Sequence, residues 1–276
     1  MELCTQLPAT TRLSHSGRIA ELTRDDLTDS GVVLCIGEPG EMTEQSHVEA
    51  RDPGFLLHDY IRRIRSVITS LLPPEELELG AILHLGAGAL TLPRWVEHQW
   101  PQAAQTVVDI EPELVGFVLE HLPMRRVPES VVADAAQVLT ADGDLSGRRF
   151  EVVVVDLFNS SQAPDSLTEL KFFQNVLGAL TPGGLMVMNI GDDAGMEFAR
   201  RLTGRLLEAL GREGVSAHYA LLTAPDTVLS GEDEGNLVFA ARPSWPLRET
   251  ETSQIWAAGP HPGDVLSGED LHAWVS

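Results

Sequence analysis

The sequence predicts an α/β protein: an open, doubly wound sheet of about seven strands, preceded by a small N-terminal β patch. Three observations carry that expectation. Residues 81–112, AILHLGAGALTLPRWVEHQWPQAAQTVVDIEP, read as strand, glycine turn, helix, strand and acid. The runs EVVVVDLF at 151–158 and GLMVMNI at 184–190 are continuously apolar, as strands buried on both faces of a parallel sheet must be. Strand-like runs and helical periodicities then alternate through to residue 242, the pattern of repeated strand-helix-strand units.

Taken in order, residues 1–12 read as a loose lead-in. Short apolar runs broken by turn residues follow from Gly17, with Asp29-Ser30-Gly31 and Glu38-Pro39-Gly40 as the turns. They predict two or three short antiparallel strands that must pack on the rest of the chain, because such a patch is not stable alone. From 55 to 72, Phe55, Tyr60, Ile61, Ile64, Val67, Ile68, Leu71 and Leu72 recur at helical spacing, with Arg62, Arg63 and Arg65 read as the solvated face. Pro73-Pro74 ends that helix. Strands are expected at 81–86, 105–110, 130–134, 151–158, 184–190, 215–223 and 236–242, and helices near 92–100, 112–121, 166–180 and 196–210. Residues 243–276, with Pro243, Pro246, Pro260 and Pro262, read as an irregular tail with a short helix near 270–275. The chain therefore divides into a β patch at 1–53, a main domain at 54–242 and a tail at 243–276.

The 276 residues are 43% hydrophobic, enough for one large domain and an appendage. No run approaches the roughly 18 apolar residues of a membrane helix, and the start MELCTQLPAT lacks the pattern of a signal peptide. A cytoplasmic protein without a membrane partner is expected. Two cysteines, Cys4 and Cys35, form neither a disulfide framework nor a metal site, and His47 and His84 lack ligand spacing. No metal is expected. The formal net charge of −22 argues against nucleic acid, whose binding requires a basic footprint, and suits a small cationic substrate.

The glycine turn lacks the third glycine of a dinucleotide fingerprint, since that position is Thr91. The remaining pattern, glycines followed by an acid at the next strand end, is that of S-adenosylmethionine-type folds. Gly86 and Gly88 allow close backbone approach to a ligand. Four carboxylates mark predicted strand ends: Asp109, Glu111, Asp134 and Asp156. Asp109 is placed to hold ribose hydroxyls, Asp134 to accept from an adenine amino group, and Asp156 to orient or deprotonate an amine. Gln45, Ser46 and His47 on the last strand of the β patch, with Asp52 and Asp59 after it, would line a second substrate's pocket. Ser14, Ser16, Ser160 and Ser161 have no nucleophile-elbow context.

Over roughly residues 31–240 these stretches resemble, in order, the spermidine synthase (polyamine aminopropyltransferase) family, and more closely its actinobacterial spermidine-synthase-like branch. LHLGAGALTLPRW falls where the family has GGGDG, which implies cofactor contacts at Gly86, Ala87 and Gly88. VVDIEPELV resembles the V-E-I-D segment and implies ribose binding by Asp109, with Glu111 beside it as a further cofactor contact. VADAAQVL resembles the G-D-G/A segment and sets Asp134 and Ala135 against adenine. FEVVVVDLFNSSQAPDSL resembles the segment whose first acid, here Asp156, helps deprotonate the attacking amine. EQSHVEARDP resembles the Q-x-x-x-x-D-E run and puts Gln45 on the polyamine side. The chain departs from the family at Ala89, which replaces the GGGDG aspartate, at Asn159, which replaces a second acid, and where Tyr-His-Glu should follow. His58 and Asp59 are shifted stand-ins there.

The resemblance implies a Rossmann-like fold of class I methyltransferase type. It also implies a homodimer using decarboxylated S-adenosylmethionine as co-substrate, with an amine such as putrescine as acceptor. The alternatives are a methyltransferase using intact S-adenosylmethionine, which Ala89 favours by removing an acid that would repel the methionine carboxylate, and a non-catalytic nucleoside-binding homologue.

Overall fold

The computed structural model describes residues 7–72, 80–158 and 163–276. Its N-terminal part is an antiparallel meander of four strands, β1 (Ala9–Arg12), β2 (Ile19–Arg24), β3 (Gly31–Glu38) and β4 (Glu41–Glu49). The first strand lies inside the segment expected to be a loose lead-in. Its alternating, half-buried pattern ATTR is too short and too polar to announce itself, and pairing with β2 defines it. The β3–β4 hairpin closes on Pro39-Gly40, with Gly40 at φ +92° supplying the left-handed turn position. The β3–β4 register shifts between Leu34, opposite Ser46, and Cys35, opposite Glu44. Gln45 is thus the extra residue of a bulge.

Helix α1 (Asp59–Leu71) leads into the main sheet. The chain then runs β5 (Ala81–Leu85), α2 (Thr91–Gln99), β6 (Ala104–Asp109), α3 (Leu114–His121), β7 (Glu129–Val132), α4 (Ala135–Val138), β8 (Phe150–Phe158), α5 (Asp165–Thr168), α6 (Leu170–Gly178), β9 (Leu180–Asp192), α7 (Glu197–Arg212), β10 (Ala220–Ala224), α8 (Asp226–Ser230), β11 (Gly235–Ala241), α9 (Glu249–Ala258), β12 (Asp264–Ser267) and α10 (Gly268–Val275). The sheet has eight strands in the order β12-β10-β11-β9-β8-β5-β6-β7. Strands β9, β8, β5, β6 and β7 are parallel, whereas β11, β10 and β12 continue the sheet antiparallel.

Strand β8 shows why such runs are apolar throughout. Val152 and Val154 pack on the side of α1 and α2, while Val153 and Val155 pack on the side of α6 and α7; all four are buried. A third core joins the meander to the main domain, with Leu22, Leu34 and Val48 against Ala89, Leu90, Val115 and Val118.

The tail differs from the irregular wrap expected of it. Strand β12 pairs with β10 as the edge strand, and α9 and α10 flank it. Arg63 is also not on a solvated face: it is buried, donates to Asp59 and Thr223, and reaches the Pro260 and Pro262 carbonyls of the tail. Its long stem and planar fork let one helix residue tie three distant segments together.

Candidate active site

The chain enters the parallel half of the sheet at β5, proceeds outward to β6 and β7, and returns on the other side of β5 as β8. The carboxyl ends of β5 and β8 therefore flank the switch point, where sheets of this kind open a crevice. At that position lies a cavity of about 540 Å³ lined by Gly86, Ala87 and Gly88 after β5, Asp109 and Glu111 after β6, Asp134 and Ala135 after β7, and Asp156 on β8. Gln45 and Ser46 close it from the meander. The bulge explains how Gln45 comes to face it, since an extra residue re-aims a strand's side chains.

The glycine turn is built by close approach. Gly86 has φ +97°, and a Cβ there would sit 2.4 Å from the Asp156 carbonyl oxygen. Gly88, at φ +48°, would meet Ser46 Oγ at 2.4 Å. That serine oxygen also accepts the Ala89 N–H at 3.2 Å, fixing the turn to the meander. Ala89 itself is wholly buried in the core between them and does not line the cavity.

Asp109 accepts the Ala87 N–H at 3.0 Å on one oxygen and the Glu111 N–H at 2.9 Å on the other. Burial raises its pKa above the usual carboxylate value, against the lowering effect of those N–H groups. The Ile110 N–H also bonds this carboxylate, and since an ionised carboxylate offers about four acceptor positions, about one remains. Asp134 caps α4 by accepting the Ala136 N–H at 2.9 Å. Glu111, expected to bind cofactor, has both oxygens engaged with the β1–β2 turn, accepting the His15 N–H at 3.1 Å and the Ser16 N–H at 3.0 Å. It lines the cavity as a clamp on the meander.

Asp156 sits where the large cavity joins a smaller recess of about 30 Å³, which shares Ser46, Tyr60, Gly86, Ala87, Gly88 and Asp156 with it. Asn189 on β9, itself buried, donates to Asp156 Oδ1 at 2.9 Å, and the Tyr60 hydroxyl on α1 hydrogen-bonds the same carboxylate. Burial raises Asp156 above its ordinary value, with these two donors opposing the rise. Burial and the Asp156 charge together hold the Tyr60 hydroxyl well above its own, so it remains a donor. The sequence singles out neither partner: Tyr60 reads there as part of an apolar helix face. The signal for Asn189 was present, as the lone amide in an apolar run.

His58 lines the recess, stacks on Tyr60 with ring centroids 6.0 Å apart, and lies 3.3 Å from Glu44. Burial lowers its basicity, against the influence of Glu44. His84 lines the recess too, bonds Gln105 at 2.9 Å, and burial depresses it to about 4, so it is neutral at physiological pH. Asp59 is not brought to either cavity. Its carboxylate pairs with Arg63 at 2.6 Å, because α1 turns it toward the tail, and this corrects the expectation of a substrate role. Asn159 lies outside the described residues.

An eight-stranded mixed sheet with this site at its switch point defines a Rossmann-like fold of class I methyltransferase type with an added N-terminal sheet. Known proteins narrow the class. No family model matches the chain. A polyamine aminopropyltransferase of Neisseria meningitidis serogroup A is 31% identical over 180 residues, covering 61% of this chain, and one of Chromobacterium violaceum is 28% identical over 179 residues. The chain spans 65% of the length of each of these relatives. A probable spermidine synthase of Corynebacterium glutamicum superposes with a TM-score of 0.82 at 24% identity, covering 99% of this chain and 95% of that one. The chain is thus similar in sequence to polyamine aminopropyltransferases and has the fold of a spermidine synthase.

Proposed function

We propose that this chain is an aminopropyltransferase that moves the aminopropyl group of decarboxylated S-adenosylmethionine to an amine such as putrescine. The observation that carries the reading is Asp156, held by Asn189 and Tyr60 at the junction of a nucleoside-sized cavity and a small recess. In this reading Asp109 takes a ribose hydroxyl on its remaining acceptor position. Asp134 and Ala135 meet adenine, and Ile110, large, apolar and exposed at the cavity wall, is covered by the base. The glycine turn admits the nucleoside close to the backbone.

The amine enters from the recess, past His58 and beneath Gln45. Its nitrogen attacks the aminopropyl carbon bound to sulfur: the N–C bond forms, the C–S bond breaks, and methylthioadenosine leaves with the electron pair. Asp156, as carboxylate, takes the proton the amine must lose. Catalysis is chiefly positional, by alignment and exclusion of water. The resemblance also carries assembly as a homodimer.

The test is mass-spectrometric detection of methylthioadenosine and the extended amine. Purified protein is incubated with decarboxylated S-adenosylmethionine and putrescine, and a parallel arm supplies intact S-adenosylmethionine. Asp156→Asn should lower turnover by about a hundredfold or more while still binding methylthioadenosine. Formation of S-adenosylhomocysteine instead would turn the reading to methyl transfer, which the missing acid at Ala89 favours. No product with any of a panel of diamines and polyamines would overturn the proposal.

A further inference from the structure

Against α2 lies a second groove, of about 660 Å³, lined by the segment after β4, by Arg94, Glu97 and His98 of α2, and by the loop after α3. Four arginines line it, Arg51, Arg94, Arg125 and Arg126, in a chain whose formal net charge is −22. Its two carboxylates are already engaged: Asp52 accepts the Gly54 N–H at 3.0 Å, and Glu97 accepts the Arg126 N–H. Arg126 is pinned to the Pro101 carbonyl and Gln102. Arg51 and Arg125 are exposed, and their guanidinium groups have no hydrogen-bond or ion-pair partner among the described residues; the Arg51 main-chain N–H alone is engaged, donating to Ser30 Oγ.

Arg94 is the second, independent sign. It is only 8% exposed, its Nη groups donate to the main-chain carbonyls of Leu122 and Pro123, and its buried Nε–H has no partner among the described residues. Burial lowers its basicity to about 10, which leaves it charged at neutral pH. Its hydrogen bonds all go to neutral carbonyls, and Glu97 is the one carboxylate whose charge supports it, so beside the free guanidinium forks of Arg51 and Arg125 the groove's four arginines outnumber its two carboxylates.

We propose that this groove binds a small phosphate-bearing anion of the diphosphate class. Guanidinium forks match phosphate oxygens bidentately, and two of the groove's four arginines stand free to do so. The acidic remainder of the surface repels an extended polyanion, so a nucleic acid is not the partner.

Isothermal titration at low ionic strength tests this with inorganic diphosphate, ADP and adenosine as probes. One diphosphate per chain should bind, weakening as salt rises. The double variant R51S/R125S should bind about tenfold more weakly or worse, with an unchanged melting temperature, because both side chains are exposed. Arg212→Ser, on α7 away from the groove, should bind as the parent does. Equal affinity for diphosphate and ADP would assign the site to the phosphates alone, and tighter ADP binding that is lost in the double variant would add a nucleoside contact. Absence of diphosphate binding, or binding undiminished in the double variant, would overturn the proposal. Adenosine reports on the switch-point cavity separately, so failure of one site is not mistaken for failure of the other.

Discussion

Replacing Asn189 by alanine should displace the pH dependence of catalysis without touching the substrate. Asn189 Nδ2 lies 2.9 Å from Asp156 and stabilises the ionised carboxylate against the burial that raises it. A hydrogen bond to a charged group contributes roughly 1.5–3 kcal/mol, and a factor of ten in protonation corresponds to about 1.4 kcal/mol. Below the acid limb, the reactive carboxylate fraction should therefore fall about ten- to a hundredfold. The sign follows from the role: ionised Asp156 accepts the amine's proton, so raising it further moves the acid limb of kcat/KM to higher pH. The plateau above the limb should be nearly unchanged.

Stability gives a second readout. Because Asp156 is raised in the folded state above its ordinary 3.8, its favourable contribution is present below that value and lost as pH rises through the folded value. Removing a donor to the ionised form enlarges this loss, so Asn189→Ala should lower the melting temperature more at pH 7 than at pH 4. The assay is a pH–rate profile of methylthioadenosine release together with thermal melts at both pH values. An unmoved acid limb with equal melting losses at both would refute the electrostatic argument and leave Asn189 a packing residue.

Two further predictions rest on geometry. Gly88→Ala sets a Cβ 2.4 Å from Ser46 Oγ at a backbone φ of +48°, so the turn must shift or Ser46 must move. It should cost about 1–3 kcal/mol of stability and weaken methylthioadenosine binding, and the Gly88→Ala/Ser46→Gly double variant should recover part of the loss in a thermal-shift titration. Glu251→Ala removes both oxygens that Arg242 Nη2 contacts at 3.0 Å and leaves that arginine buried without its charge partner. A loss of about 3–5 kcal/mol by chemical denaturation is expected, in one cooperative transition because the tail is part of the main sheet. A loss below about 1 kcal/mol would show that the pair contributes no more than a surface contact.

Much of this molecule was legible in the chain because the signals are local. Continuous apolar runs at 151–158 and 184–190 mark strands covered on both faces, and β8 and β9 lie in the middle of the sheet. Gly86 and Gly88 hold positive φ, a local demand that sequence reports directly, although the atoms that crowd them, the Asp156 carbonyl and Ser46 Oγ, come from distant segments. Asp109, Asp134 and Asp156 were legible as acids at strand ends, and parallel register carries three such ends to one edge.

What escaped the sequence depends on pairing between distant segments. β1 and β12 are four-residue strands whose composition says little, and each exists through its neighbour, β2 or β10. Arg63 looked solvated because its partners, Thr223, Pro260 and Pro262, lie some 160 to 199 residues away. Asp59 followed Arg63 toward the tail, and Glu111 was drawn to the β1–β2 turn. Gln45 owes its position to a bulge in register, and Tyr60 and Asn189 reach Asp156 from a helix and a strand with no shared motif. The sequence by itself determined the sheet, its glycine turn and the acids along its edge, because hydrophobic period and backbone sterics act over a few residues. Only the tertiary structure decided which of those acids face the cavity and which donors tune Asp156, because burial and hydrogen-bond partnership are properties of segments brought together in space.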